Sequence, residues 1–438
     1  MRARDFFLAL LIIAAGLFLT YAKSGRFDDW TVVWNGPWFG STDEFAYEET
    51  REIAGPVPAE LRVQNAHGII EIAATGGTDK AVVTFKKRIR SRNRTEADKV
   101  AADLRMTVAA VEGRLVLGTN REEFKRRNFS TDFKIVIPPA TSVVVKNSYG
   151  LVRIEGAGKS EIENPHGDVT VLGSAGPLTV VSSYSRVEVD GVRGEARISA
   201  PHADVDVRNV DGAVDLDHSY GSIGLDRIGR RTVVKGNHSE ITAQNLAGEA
   251  EIASSYERIT VAAAKSVKVR AHHCDIEARD IDGAFDLENS YGQARLNRLT
   301  GDLRIDGQNI AVSALDLGSG KIFVRTSNEN VTLSGFSGPA EAVLTHSVLT
   351  LEPAAALSGP VDVQGEYVDV LLSWPAGFRA PFEGRTRNGR ILWNLADKPD
   401  SETSNGTTEL FAYSSATGKP KVKIATAHAD IRVEPAGR

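Results

Sequence analysis

The chain has 438 residues, of which 42% are hydrophobic. This is enough for two or three ordinary domains or one elongated repeat array, and it excludes wholesale disorder. The formal net charge is −5 and the pI is near 6.1, which argues against a general nucleic-acid-binding protein. A single cysteine, Cys274, excludes an internal disulfide, a cysteine-rich zinc module and an iron–sulfur cluster.

The first 24 residues have the pattern of an export segment. Arg2 and Arg4 precede an apolar run of 14 residues from Phe6 to Leu19. A basic segment followed by such a run is typical of a signal peptide, whereas a spanning helix needs about 20 residues. Residues 1–24 are therefore predicted to form a hydrophobic helix. It is either a membrane anchor that places the body outside the cytoplasm, or a signal peptide whose cleavage leaves a periplasmic or secreted protein.

Aromatic and basic residues follow this segment. Three of the five tryptophans lie within residues 25–58, which we interpret as a juxtamembrane linker, and a basic cluster begins at residue 86. Both groups suit a membrane–water interface. The alternatives are that the tryptophans pack on the end of the folded body and that the basic cluster is a solvated strand face. The residues predicted to contact a membrane surface are Trp30, Trp34, Trp38, Lys86, Lys87 and Arg88.

Residues 59–140 are predicted to be an N-terminal cap made of strands and one short helix. Thr95 with Asp98 resembles a capping box, and the apolar positions that follow share one helical face. A helix near residues 95–105 is expected, covering the first coil of the body. At the other end, residues 379–438 are predicted to be an irregular C-terminal cap whose final strands close the stack.

Residues 141–378 are a regular repeat. Each unit has two short runs of alternating apolar and polar residues, separated by turns, and this alternation predicts strands with one buried face. One position in each unit holds a planar side chain and recurs every 17 to 19 residues, with a last step of 21. The same position recurs outside this regular array at His67 and His428. The members of this structural ladder are His67, Tyr149, His166, Tyr184, His202, Tyr220, His238, Tyr256, His273, Tyr291, Asn309, Asn328, His346, Tyr367 and His428.

A fixed period of about 18 residues in strand-forming sequence predicts an all-β protein, a β-solenoid with parallel strands. Tyrosine and histidine alternate strictly from Tyr149 to Tyr291. One coil therefore contains either one unit, with Tyr stacked on His, or two units of about 36 residues in total, with like residues stacked. We favour the two-unit coil, because a ladder of identical side chains packs more uniformly.

Three segments carry a resemblance to known proteins: VVVKNSYGLVRIEG (143–156), NAHGIIEIAA (65–74) and KIATAHADIRVEP (423–435). They resemble the bacterial β-strand-repeat family of putative adhesins, which contains a domain of unknown function, and the head-GIN putative adhesins are similar. The resemblance spans roughly residues 58–435 and implies a right-handed β-solenoid outside the cytoplasm. This chain differs in having Tyr and His where the family commonly has Asn. The resemblance transfers no catalytic residues.

Candidate chemistry is sparse in this sequence. The best metal candidate is the run from His272 to Asp275, but adjacent residues of a strand point to opposite faces, so we interpret it as a buried thiol beside a turn histidine. No nucleophile elbow, P-loop or His-Glu-x-x-His motif is present. We therefore predict no catalytic residues, no metal and no cofactor.

The sequence thus predicts a non-catalytic cell-envelope protein, not an enzyme, with an adhesin-like, scaffold or interaction role. Its expected partners are the membrane, through the N-terminal segment, and an envelope polymer, a glycan or a protein, but not nucleic acid. The alternative is a polysaccharide-degrading or carbohydrate-binding β-helix protein. Degradation by a hydrolase or a lyase requires a cleft that carries paired carboxylates or a basic residue with a metal, whereas carbohydrate binding requires tyrosines able to stack on sugar rings.

Overall fold

A computed structural model describes residues 43–436 apart from 75–78, 125–127, 355, 376, 378–379, 398 and 414–420. The described residues form thirty strands, one α-helix and one short 3₁₀ turn. The predicted hydrophobic helix at 1–24 and the three linker tryptophans lie outside them. No helix in the described part of the chain is long and apolar enough to span a bilayer.

The N-terminal part contains seven strands and the helix. The helix, α1, spans Arg94–Asp103, and the 3₁₀ turn spans Arg121–Glu123. The strands are β1 (Asp43–Ile53), β2 (Glu60–Gln64), β3 (Ile70–Ala74), β4 (Ala81–Ser91), β5 (Met106–Val111), β6 (Arg114–Thr119) and β7 (Phe129–Ile137). β1 falls inside the range that the sequence assigns to the linker, so the folded body includes it.

The N-cap lies two residues earlier than the capping-box prediction. Its N-cap is Asn93, whose side-chain oxygen accepts a hydrogen bond of 2.9 Å from the backbone N–H of Glu96, so Thr95 is already helical. The helix packs on β4 and β1, where Ala97 and Val100 join a small core with Phe129. Its predicted role as a cap over the first coil stays a prediction.

The central part is an uninterrupted stack of coils. Its strands are β8 (Ser142–Lys146), β9 (Val152–Glu155), β10 (Ser160–His166), β11 (Val169–Ser174), β12 (Leu178–Val192), β13 (Ala196–Ser199), β14 (Ala203–Val210), β15 (Val214–Ile228), β16 (Thr232–Ser255), β17 (Arg258–His272), β18 (Asp275–Ile281), β19 (Phe285–Leu299), β20 (Leu303–Leu317), β21 (Ile322–Ser327), β22 (Val331–Phe336), β23 (Ala340–Pro353) and β24 (Val361–Trp374). Neighbouring coils pair in parallel, and their inward Val, Ile and Leu side chains form one contiguous core. The prediction of a parallel all-β solenoid is confirmed, while the handedness of the coil stays a prediction.

One unit makes one coil, so the favoured two-unit coil is wrong. Val169 pairs with Val187, 18 residues later, and Tyr149 bridges directly to His166. Two strands and two tight turns close a coil within one repeat, so each tyrosine lies next to a histidine. Tyr and His rings are both flat, and an alternating ladder can therefore stack as well as a uniform one. At about 4.8 Å per coil, the thirteen units from Tyr149 to Tyr367 extend for roughly 60 Å.

The C-terminal part adds the strands β25 (Phe382–Arg387), β26 (Ile391–Trp393), β27 (Asp400–Ser404), β28 (Thr407–Ala412), β29 (Val422–Ala427) and β30 (Ile431–Pro435). β29 pairs with β24 on one side and with β25 on the other, and β30 likewise lies between β24 and β26. The prediction that the final strands close the stack is therefore wrong: they form an inner coil, and an earlier segment covers them.

The N-terminal end has the same arrangement. The first coil, β2 and β3, lies between the coil of β8 and β9 and the later strands β6 and β7. Antiparallel strands then cover three of the outer strands, with β5 on β6 and β4 on β7 at this end and β28 on β25 at the other. The coil at each end of the chain is thus held inside the stack. Antiparallel covering strands also interrupt the parallel edges on which another chain could pair.

Candidate functional site

The ladder lies at the turn between the two strands of each coil. From His202 onward the ladder residues that the structure describes have φ between 51° and 64°, in the left-handed region that Asn and Gly tolerate best. At the first coils the residue after the ladder position takes the positive φ instead, for example Gly68 (139°) and Gly150 (113°). A positive φ thus recurs at this turn, at the ladder residue, at the residue after it, or at both, as at Tyr220 and Gly221, which explains the recurrence of Asn and Gly there.

The rings stack into one continuous column. From His67 to Tyr291 ten rings follow each other with centroids 4.7 to 5.4 Å apart, and we call these ten residues the ten-ring ladder. The interplanar angles are 4° to 23° except for the first pair, at 37°. Beyond Tyr291 the column changes to Asn309 and Asn328, whose side-chain amides hydrogen-bond at 2.9 Å. It resumes with His346, Tyr367 and His428.

The ladder tyrosines expose their edges and cover their faces. Their exposed fractions lie between 46% and 51%. Because both faces of an inner ring contact neighbouring rings, the exposed half is the ring edge with its hydroxyl group. A sugar therefore cannot stack on an inner ring in the way that the carbohydrate-binding alternative requires. The stripe instead presents a row of phenol hydroxyls and imidazole edges.

One ladder member lies outside the predicted set. Asn388 follows β25 in the same turn, with φ at 57°, and its side-chain amide lies 3.4 Å from the imidazole Nδ1 of His428. Its coil packs against the coil of His428, which is 40 residues further along the chain. The ladder order in space thus differs from the order in sequence, although Asn388 follows Tyr367 by 21 residues, the same step that separates Tyr367 from His346.

A second column lies two residues before the ladder position; it is buried and polar in several coils, whereas others have Ala200, Gly236 or Leu344 there. Asn147 and Asn164 donate through their side-chain Nδ2 to turn carbonyl oxygens, including that of Gly150 at 3.3 and 2.9 Å. Asn289 does the same to the carbonyl oxygen of Cys274 at 2.9 Å. These bonds satisfy backbone groups that the turn leaves inside the core. The signal in sequence is the Asn of NSYG and ENSYG, which is not among the predicted ladder residues.

A third column sets the other turn of the coils from Tyr149 to Asn328. Seven residues after the ladder position, φ again lies between 52° and 78°. Its members are Gly156, Gly173, Gly191, Asn209, Arg227, Asn245, Ala263, Asp280, Arg298, Asp316 and Gly335. Because these residues are chemically mixed, the column has no obvious pattern in sequence.

The basic cluster faces an acidic strand. In the antiparallel register β1 places Glu48 opposite Lys86, and Glu49 lies 3.6 Å from the amine of Lys87. Lys87 is buried and also donates to the carbonyl oxygen of Ala101 at 3.0 Å. Arg88 forms an ion pair of 2.8 Å with Asp132. Internal partners therefore occupy Lys87 and Arg88, and membrane contact by this cluster stays a prediction.

The side chains of the metal candidate, the run from His272 to Asp275, do not point toward one site. His272 and His273 are exposed, with their Nδ1 atoms 2.6 Å apart, whereas Cys274 is buried and burial raises the pKa of its thiol. Across the described ranges no three His, Cys, Asp or Glu side chains group as metal ligands. The run is thus divided between the surface and the core.

His218 occupies the buried polar column and is expected to make the fold sensitive to acid. Its Nε2 lies 2.6 Å from the carbonyl oxygen of Ala203, and its Nδ1 lies 2.8 Å from Ser239 Oγ. Burial lowers the pKa of this imidazole below its usual 6.5. As the pH falls below 6.5, the unfolded chain binds a proton that the folded chain resists. The free energy of unfolding therefore falls, by at most about 1.4 kcal/mol per pH unit for one proton.

Replacing His218 with Asn, the residue at this position in other coils, is expected to remove that pH dependence. The measurement is urea unfolding of both proteins at pH 7.5 and pH 5. The control is the ladder pair His202→Asn and His238→Asn, which should stay folded because Asn309 and Asn328 already fill equivalent turns. An unchanged acid sensitivity in H218N, or loss of cooperative unfolding in the control, would contradict this account.

Comparison with known proteins finds no matching family model and no matching curated protein. Two solved structures match. A putative cell adhesion protein from Clostridium sporogenes is 8% identical, with a TM-score of 0.16, and the match covers 89% of this chain and 100% of that one. A putative adhesin from Bacteroides fragilis is 17% identical, with a TM-score of 0.23, over 61% of this chain and 97% of that one. Both names agree with the resemblance seen in the sequence, but at these TM-scores the likeness carries no inference about what this chain does.

Proposed function

We propose that this chain is a non-catalytic, exported rod of the cell envelope that acts by presenting an extended surface for adhesion or scaffolding. The observation that carries the proposal is the uninterrupted stack from β8 to β24, with short turns throughout and covering strands at both ends. A stack of this kind keeps one surface chemistry over roughly 60 Å. Such an extended, repetitive surface suits contact with a large partner better than it suits turnover of a small substrate.

The charges on the outer face support a non-catalytic role. A shallow depression there contains Asp204 and Asp206. Asp206 is paired with Arg208, and hydrogen bonds from Ser222 lower the pKa of Asp204. A glycosidase needs one carboxyl group with a raised pKa to act as its acid. Asp204 instead has a lowered pKa, which favours its ionised form.

Export is supported by the sequence of residues 1–24, with its two arginines and apolar run. Retention in the membrane through that segment is part of the proposal. The ion pairs between β1 and β4 leave the N-terminal end of the body with a mixed charge. Attachment through the N-terminal segment is therefore expected to matter more than attachment through the basic cluster.

The test is a deletion strain of the native host, complemented with the wild-type full chain or with variants. The chain is expected in the envelope fraction, accessible to external protease, and the deletion strain is expected to lose adhesion that the wild-type gene restores. The control variant Asp204→Asn with Asp206→Asn should restore adhesion fully, since no catalysis is involved. A cytoplasmic location, failure of the control variant, or cleavage of an envelope polysaccharide by the purified chain would overturn the proposal.

A further inference from the structure

The ten-ring ladder alternates between two kinds of tip. Each tyrosine ends in a hydroxyl group that donates a hydrogen bond, and each neutral imidazole is shorter and offers a nitrogen that accepts one. Along the axis of the ten-ring ladder the length of the exposed side chain therefore alternates, with a period of two coils, or about 9.6 Å. A surface that fits it has to repeat at the same spacing, with short tips opposite the tyrosines and long tips opposite the histidines.

We propose that the partner of this stripe is a second copy of the chain, bound antiparallel. This deepens the proposed function, on which it rests, by naming a partner for the extended surface. The ladder has an even number of rings, so its midpoint falls between two coils, between His202 and Tyr220. A two-fold axis there places a tyrosine opposite a histidine at every step. The facing pairs are His202 with Tyr220, Tyr184 with His238, His166 with Tyr256, Tyr149 with His273 and His67 with Tyr291.

The flanking row of charges selects the same register. This row lies two residues after each ladder position. In an antiparallel dimer with a two-fold axis, the row of one copy lies opposite the same row of the other copy, running in the opposite direction. Arg186 then lies opposite Glu240, and Asp168 lies opposite Arg258. All four side chains are exposed, and the arginine side chains are 61% and 50% exposed. An axis centred on the coil of Tyr220 would instead set Arg186 against Arg258 and tyrosine against tyrosine.

The area and rigidity of the ladder are adequate for such a contact. A tyrosine side chain buries 150–250 Å² when fully covered, so five half-exposed ones offer on the order of 500 Å² per copy. With the imidazole edges and flanking charges the contact approaches the roughly 800 Å² per partner of a standard interface. Stacking already fixes the rings, so little conformational entropy remains to be lost on binding.

The experiment measures self-association of the full chain in mild detergent by sedimentation equilibrium. Arg186→Glu should raise the dimer dissociation constant by about tenfold, because it reverses two symmetric charge contacts. Glu240→Arg should do the same. The double variant R186E/E240R should return close to wild type, because the two charges meet again across the axis. A dimer strengthened by R186E would place the axis on a coil and overturn the proposed register.

The ladder itself is tested by Tyr184→Ala, Tyr220→Ala and Tyr256→Ala together, which should abolish the dimer while thermal unfolding shows that the stack remains. The matched control is Tyr367→Ala, which removes an equally exposed stacked tyrosine outside the ten-ring ladder and should leave the dimer unchanged. A chain that stays monomeric at all concentrations would overturn self-association. If that monomer still restores adhesion to the deletion strain, the proposed function stands without it.

Discussion

Replacing Gly150 with alanine is expected to lower the free energy of unfolding by about 3 kcal/mol or more. Gly150 has φ at 113°, where an L side chain is strained. A Cβ atom there would lie 2.3 Å from the carbonyl oxygen of Gly68 in the neighbouring coil. That oxygen belongs to the backbone, so relief requires the two coils to separate. Urea unfolding followed by circular dichroism measures the loss.

Gly113→Ala is the matched control for this prediction. Gly113 also has a positive φ, at 73°, but nothing lies within 4 Å of its Cβ position. It should therefore lose only the cost of the left-handed conformation, about 1–2 kcal/mol. If the two variants lose equal stability, the close approach of neighbouring coils at Gly150 does not limit the fold.

Replacing Ile424 with aspartate is expected to open the C-terminal end of the stack, at a cost of more than about 4 kcal/mol. Ile424 is fully buried in β29, between Val363 of β24 and Gly384 of β25. A carboxylate there has no partner and removes apolar contact with both neighbouring coils. Because a repeat stack is held by contacts between neighbours, the covering strands should be released while the central coils persist. Limited proteolysis should then cut residues 382–412.

Lys423→Ser provides the comparison on the same strand. Lys423 is exposed, so this change should alter stability by no more than about 0.5 kcal/mol and leave residues 382–412 protected. Equal protease sensitivity of both variants would show that the inner position of β29 and β30 does not hold the end together.

The sequence predicts those parts of the fold that repeat. Val187 and Val189 alternate with polar residues, and the recurring rings mark the turn. The strands, the ladder and the solenoid fold therefore follow from the local sequence pattern. The coil length did not follow, because the alternation of Tyr and His is compatible with either stacking. The end coils also did not follow: the neighbours of β29 are set by long-range pairing that no periodicity records.

The same division holds for the candidate site. The exposed ladder could be found because one geometric demand, a planar side chain at a turn, recurs with similar residues. The buried column that contains Asn147 and His218 hydrogen-bonds turn groups with different residue types in different coils. No single residue type therefore recurs, and the column cannot be recognised from the sequence. The pairing of Arg186 with Glu240 becomes visible only once one unit is known to be one coil.

The inner position of the coils at both ends has a consequence for the timing of folding. A chain that leaves a ribosome or a translocation channel from its N-terminus produces β2 and β3 first, yet their outer neighbours β6 and β7 are made later. At the other end β25 and β26 wait without their inner neighbour until β29 and β30 emerge. A chain interrupted before Val422 therefore leaves the edge of β24 unpaired. Proteases can use this unpaired edge to distinguish unfinished rods from finished ones.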